Sequence, residues 1–137
     1  MSILRASETG TSLVVCSTCK FKTDEPLAPT GERGGSLLAN QISQALSEGK
    51  LDHIGVEPMA CLFACSQHCA VHLRAPGKIG YVMGSFEPSP EAAAALVEFA
   101  QRYDESPEGV VPYRLWPEGV KGHFLVRVPP QGMITTD

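Results

Sequence analysis

No stretch of this chain is apolar for the about 18 residues that a membrane-spanning helix needs. Met1 to Gly10 (MSILRASETG) also lacks the apolar core of a secretory leader. The expected location is therefore the cytoplasm, with no membrane partner. A basic excess is missing as well: 11 Lys and Arg stand against 15 Asp and Glu, for a formal net charge of -4 and a pI near 5.5. That leaves no electrostatic footprint for nucleic acid or anionic lipid. There is no phosphate-binding glycine loop ending in Gly-Lys-Ser/Thr, no paired catalytic carboxylates and no nucleophile set beside a base, so nothing marks the chain as an enzyme. Repeats, low-complexity blocks and dividing linkers are also lacking, and one domain over residues 1–137 is expected.

What is present is cysteine in clusters. Two of the five fall in Cys16-Ser-Thr-Cys19 and three in Cys61-Leu-Phe-Ala-Cys65-Ser-Gln-His-Cys69. In a reducing compartment clustered thiols are metal ligands or catalytic groups more often than disulfides, and an odd count disfavours a closed disulfide set. A two-residue gap across a turn, or a three-residue gap on a helical turn, brings two sulfurs to the spacing of one metal ion. Two such pairs can hold one iron each of a [2Fe-2S] cluster, or together one Zn2+. The Cys19 to Cys61 gap is much wider than the about 15 to 20 residues common in zinc ribbons.

Thr11 to Cys16 is an apolar, β-branched run that reads as a buried strand delivering Cys16 and Cys19 at its end. A Pro- and Gly-rich loop follows from Lys20 to Gly35, whose Gly31, Gly34 and Gly35 read as hinges. Next comes a helix capped by Ser36, striped by Leu38, Ile42 and Leu46, and ended by Gly49. Asp52 to Glu57 reads as a second strand stopped by Pro58. Cys69 to Ala75 and Ile79 to Met83 flank Pro76-Gly77-Lys78 as a hairpin. Ser89-Pro90-Glu91 opens a second helix carrying Ala92, Leu96, Phe99 and Tyr103. The order β-α-β-β-β-α predicts a small α/β sheet with helices packed on it, compatible with a thioredoxin-like fold. An irregular tail follows, with a candidate edge strand at Phe124 to Val128. Both cysteine loops then leave the same end of the sheet.

Pro58-Met-Ala-Cys61-Leu-Phe-Ala-Cys65, followed by strand, turn, strand and helix, resembles the carboxyl-side cluster motif of thioredoxin-like [2Fe-2S] ferredoxins. More closely, Val15-Cys16-Ser-Thr-Cys19, Cys61 to Cys65, Tyr81-Val-Met-Gly84, Tyr103 and Val111-Pro-Tyr113 resemble a bacterial family described as predicted metal-binding proteins. The resemblance implies a thioredoxin-like fold, a [2Fe-2S] cluster on Cys16, Cys19, Cys61 and Cys65, and one-electron transfer to a redox partner protein, often from a homodimer. Members of the second family tend to be encoded near cobalamin-synthesis genes, which implies service to corrin chemistry. The two-residue gap between Cys16 and Cys19 is narrower than that between the first ligands of the thioredoxin-like ferredoxins.

Cys69 has two readings: a buried residue opening a strand, or a thiol that substitutes for Cys19 or tunes the cluster from beside it. His68 is the one histidine close enough in sequence to serve as a substitute ligand or a hydrogen-bond donor to a cluster sulfur. His53, His72 and His123 read as surface or core groups. The principal alternative function is a zinc-binding structural or interaction module. A thiol-disulfide oxidoreductase is weaker, because prolines stand where the helix after Cys19 should continue. The acids Glu87, Glu91, Glu98, Asp104, Glu105 and Glu108 form either a solvated face or a docking patch for a basic partner.

Overall fold

Among the described residues, five strands and two α-helices form the fold. The computed structural model describes every residue except 1, 2, 5, 8, 9, 23 and 137, so part of the amino-terminal arm lies outside the described residues. The strands are β1 (Ser12–Cys16), β2 (Gly55–Met59), β3 (Val71–Arg74), β4 (Gly80–Met83) and β5 (Phe124–Val128), and the helices are α1 (Gly34–Glu48) and α2 (Pro90–Glu105). They form one mixed sheet in the order β2-β1-β3-β4-β5. β1 and β2 are parallel, joined through α1, while the other neighbours are antiparallel.

Alternation along the strands decides what is buried. Register pairs Leu13 with Leu73, Val15 with Val71 and Val71 with Met83, so these side chains share one face, and each is fully buried or nearly so. α1 lays Leu38, Ile42 and Leu46 on the core and packs on β1, β2 and α2. α2 adds Leu96, Phe99, Ala100 and Tyr103. Phe99 and Tyr103 meet Tyr81 edge to face. The start of α2 is the one read from sequence: Ser89 Oγ accepts from the Ala92 N–H at 3.0 Å, with Pro90 and Glu91 in the first turn. At its other end the Lys78 ammonium donates to the Tyr103 and Asp104 carbonyls.

Three boundaries differ from expectation. Ser36 is not the cap of α1: the helix begins at Gly34 after Arg33, and the Ser36 hydroxyl donates to the Ser17 carbonyl. Pro58 does not stop β2 but sits inside it. The Gly55 N–H donates to Thr11 O at 2.9 Å and Met59 O accepts from the Ser17 N–H at 2.8 Å. Residues 55, 57 and 59 therefore face β1, and the N–H that Pro58 lacks would have pointed off the open edge of the sheet. The strand consequently runs from Gly55 to Met59 rather than from Asp52 to Glu57. Among the described residues no helix is long and apolar enough to cross a membrane.

Candidate metal centre

Because β1 and β2 are parallel neighbours with Cys16 opposite Met59, their following loops emerge side by side. The loops are stitched together. The Ser17 hydroxyl donates to Met59 O at 3.1 Å, and the Thr18 hydroxyl donates to the Ala60 carbonyl. A turn closed by the Cys19 N–H on Cys16 O, at 3.3 Å, sets the first two thiols against each other.

The amino end of α1 presses on this turn from below. The Gly35 N–H donates to Cys19 O at 3.2 Å. A Cβ at Gly35 would stand 1.7 Å from Cys16 O, and one at Gly34 would stand 2.4 Å from Lys20 O. Both glycines are thus required for close approach, not as hinges. Sequence reading missed this, although two glycines opening a helix beside a cysteine loop were the signal. Gly84 serves the second loop in the same way, since a Cβ there would stand 2.5 Å from Gln67 O. The Ser85 N–H donates to the same carbonyl, and the Cys69 N–H donates to Phe86 O.

The thiols divide by environment. Cys16, Cys19 and Cys69 are buried, Cys61 is half-buried, and Cys65, in a 3-10 turn over Cys65–Gln67, is exposed. The Cys19 thiol donates to the Cys16 sulfur, which holds the Cys16 pKa down to about 5 against the opposing effect of burial. The backbone N–H of Leu62 and the hydroxyl and N–H of Thr18 add to it. Cys19 is pushed well above the usual thiol range, first by that same bond and then by burial. Burial pushes the Cys69 thiol up to about 12, helped by the nearby Cys16 charge. The Phe63 N–H reaches Cys61 Sγ at 3.3 Å, and Phe63 takes a positive φ of 59° to do so.

The structure therefore closes Cys16 and Cys19 into one turn and ties that turn to the start of the loop that carries Cys61. It places Cys69 beside the first pair, while Cys65 stays outward. His68 is not turned toward a sulfur: its Nδ1 lies 3.3 Å from Cys65 O. His53 sits 3.4 Å from Asp104, which also accepts from Thr11 at the start of β1. The carboxyl half of α2 is thus at the end of the sheet opposite the cysteines. Among the described residues no three Cys, His, Asp or Glu side chains converge at metal-holding separation. In kind, the donors fit a thiophilic centre: thiols on two adjoining loops, with the Phe63 N–H already aimed at the Cys61 sulfur.

Sheet order, helices and cysteine-bearing end define the class as a thioredoxin-like ferredoxin fold. A solved structure, a thioredoxin-like [2Fe-2S] ferredoxin from Aquifex aeolicus, matches 93% of this chain and 100% of its own at 16% identity and a TM-score of 0.54. The chain itself belongs to the family described as "Protein of unknown function (DUF1636)", which it matches over residues 13–130. A comparison with curated proteins gives no match.

Proposed function

We propose that this protein is a one-electron carrier that holds a [2Fe-2S] cluster on Cys16, Cys19, Cys61 and Cys65. The observation that carries the reading is the meeting of the two cysteine loops, tied by the Ser17 N–H and hydroxyl on Met59 O and by the Thr18 hydroxyl on Ala60 O. The likeness in fold to a [2Fe-2S] ferredoxin supports it. When bound, the cluster supplies a reversible one-electron couple whose potential depends on charge, hydrogen bonds to sulfur and exposure. The residues of this chain would supply the rest. Cys16 and Cys19 would hold one side from within the fold, and Cys61 and Cys65 the other from the surface loop. The Leu62 and Phe63 N–H groups would stabilise negative charge on the sulfurs, and burial of the first pair would exclude water.

The reading carries with it a cytoplasmic location, a redox partner protein and, from the family resemblance, a homodimer and a place in corrin-related metabolism. The test is a visible and EPR spectrum of protein purified without oxygen, before and after dithionite, with iron, zinc and sulfide counted on the same sample. About two irons and two sulfides per chain with a paramagnetic reduced state are expected. A colourless protein with about one zinc and no sulfide would replace the carrier with a zinc module.

A further inference from the structure

Next to the cysteine loops the fold leaves a cleft of about 470 Å³ that none of the five cysteines lines. That volume falls within the about 300 to 1,000 Å³ of small-molecule sites. Three segments wall it: the loop after Cys19 with Phe21 and Lys22, the turn after Cys65 with Ser66 and His68, and the link from β4 to α2 with Ser85 and Glu87. The walls are fixed by hydrogen bonds. The Ser85 N–H donates to Gln67 O at 2.8 Å, and its hydroxyl donates to Gln67 Oε1 at 2.5 Å. Ser85 takes a φ of 63° while making both bonds, a conformation uncommon outside glycine. The Cys69 N–H holds Phe86 O at 3.2 Å, and the Phe86 ring, stacked on His123 at 4.2 Å, backs the cleft. On the facing wall Lys22 and Glu25 exchange two backbone hydrogen bonds, of 2.8 and 3.1 Å, which close the loop on itself.

Charge decides what such a cleft accepts. Lys22 and Glu87 carry opposite signs, yet among the described residues they form no ion pair with each other or with a third group. The Lys22 ammonium stands 5.5 Å from the Phe21 ring centroid, so an apolar surface adjoins the cation. The Ser66 hydroxyl adds a polar group that acts in either sense. A simple anion entering here would meet Glu87, and a simple cation would meet Lys22. A molecule with both charges and an apolar body meets neither repulsion. We propose that the cleft binds a small zwitterion, a free short peptide whose carboxylate faces Lys22 and whose ammonium faces Glu87. Binding makes and breaks no covalent bond. The proposal stands apart from the cluster reading, because it uses no cysteine and holds with the metal centre full or empty.

The experiment is ligand-observed saturation-transfer NMR on the full chain, titrated with the dipeptide Gly-Leu and with its N-acetyl and C-amide forms. Gly-Leu is expected to bind saturably with a roughly millimolar Kd, as suits a ligand of that size. Each blocked form is expected to bind about 3- to 10-fold more weakly, the effect of one charge-assisted bond at a partly exposed site. In Lys22→Gln the free and amidated dipeptides should bind alike, and in Glu87→Gln the free and acetylated ones should. Both side chains lie on the surface, so neither variant removes a core contact. Absence of saturable binding by Gly-Leu overturns the proposal, as does equal binding of the free and blocked forms to wild type. Binding to both variants with the wild-type preference intact overturns it too, since the dipeptide would then sit elsewhere. None of these outcomes alters the iron and sulfide count that tests the cluster.

Discussion

Replacing Gly35 by alanine tests how tightly the cysteine turn is seated on α1. The added Cβ would stand 1.7 Å from Cys16 O, 2.8 Å from Cys16 C and 3.1 Å from Ser17 Cα, whereas ordinary contact begins at 3.4 Å. All three obstacles are backbone, so no side chain can swing aside. The helix end and the turn must separate, which breaks the bond from the Gly35 N–H to Cys19 O. That bond is worth about 1 kcal/mol net. Overpacking of this kind costs about 1 to 3 kcal/mol, so Gly35→Ala should lose about 3 kcal/mol in urea unfolding followed by circular dichroism. For a domain of this size that is a fall in Tm of roughly 10 °C. Gly49→Ala is the control at the other end of the same helix. Its φ is -83° and its Cβ would meet nothing closer than 3.4 Å, so stability should hold or rise by a few tenths of a kcal/mol. Equal stability of the two variants would refute the close seating of the turn.

Tyr103→Phe removes the hydroxyl that donates to Ile79 O at 2.5 Å, and should cost about 1 to 2 kcal/mol by the same unfolding assay because the carbonyl is left unpaired. Ser89→Ala removes the cap of α2 and should cost about 1 kcal/mol; a change near zero would mean that water replaces the bond. Burial, with the Arg74 charge, lowers the pKa of His72, so the fold binds this proton less well than the unfolded chain. Its contribution is therefore intact above the unfolded value near 6.5 and is lost as pH falls through the folded one. Unfolding free energies measured across that window should slope downward toward acid in wild type and less so in His72→Asn.

The strands and helices were legible because their signals are local. Alternation marked Leu13 and Val15, a four-residue period marked Leu38, Ile42 and Leu46, and Ser89-Pro90-Glu91 carried its own cap. The meeting of the two cysteine loops was legible too, since it follows once β1 and β2 leave the sheet at one end. What sequence could not supply was contact between segments. Gly34 and Gly35 looked like hinge residues because the carbonyls they admit belong to residues far from them in the chain. Pro58 looked like a stop because only the sheet order shows that β2 is an edge and that residue 58 faces outward. The burial of Cys69 beside Cys16 and Cys19 depends on β3 pairing with β1, which no cysteine spacing encodes. The acidic residues of α2 gave no warning that the helix runs away from the cysteines.

The parallel pairing of β1 with β2 also orders events in time. An unfolded chain offers only two separate local thiol groups, one around residues 16–19 and one around residues 61–69. They become neighbours only after α1 has crossed over and both strands have docked, a loop closure that must be completed before any contact between the groups exists. On the proposed cluster reading, a newly made chain would engage iron through one local group at a time, and full ligation would wait for the fold. Assembly at this end of the sheet is in that sense a report that folding has finished.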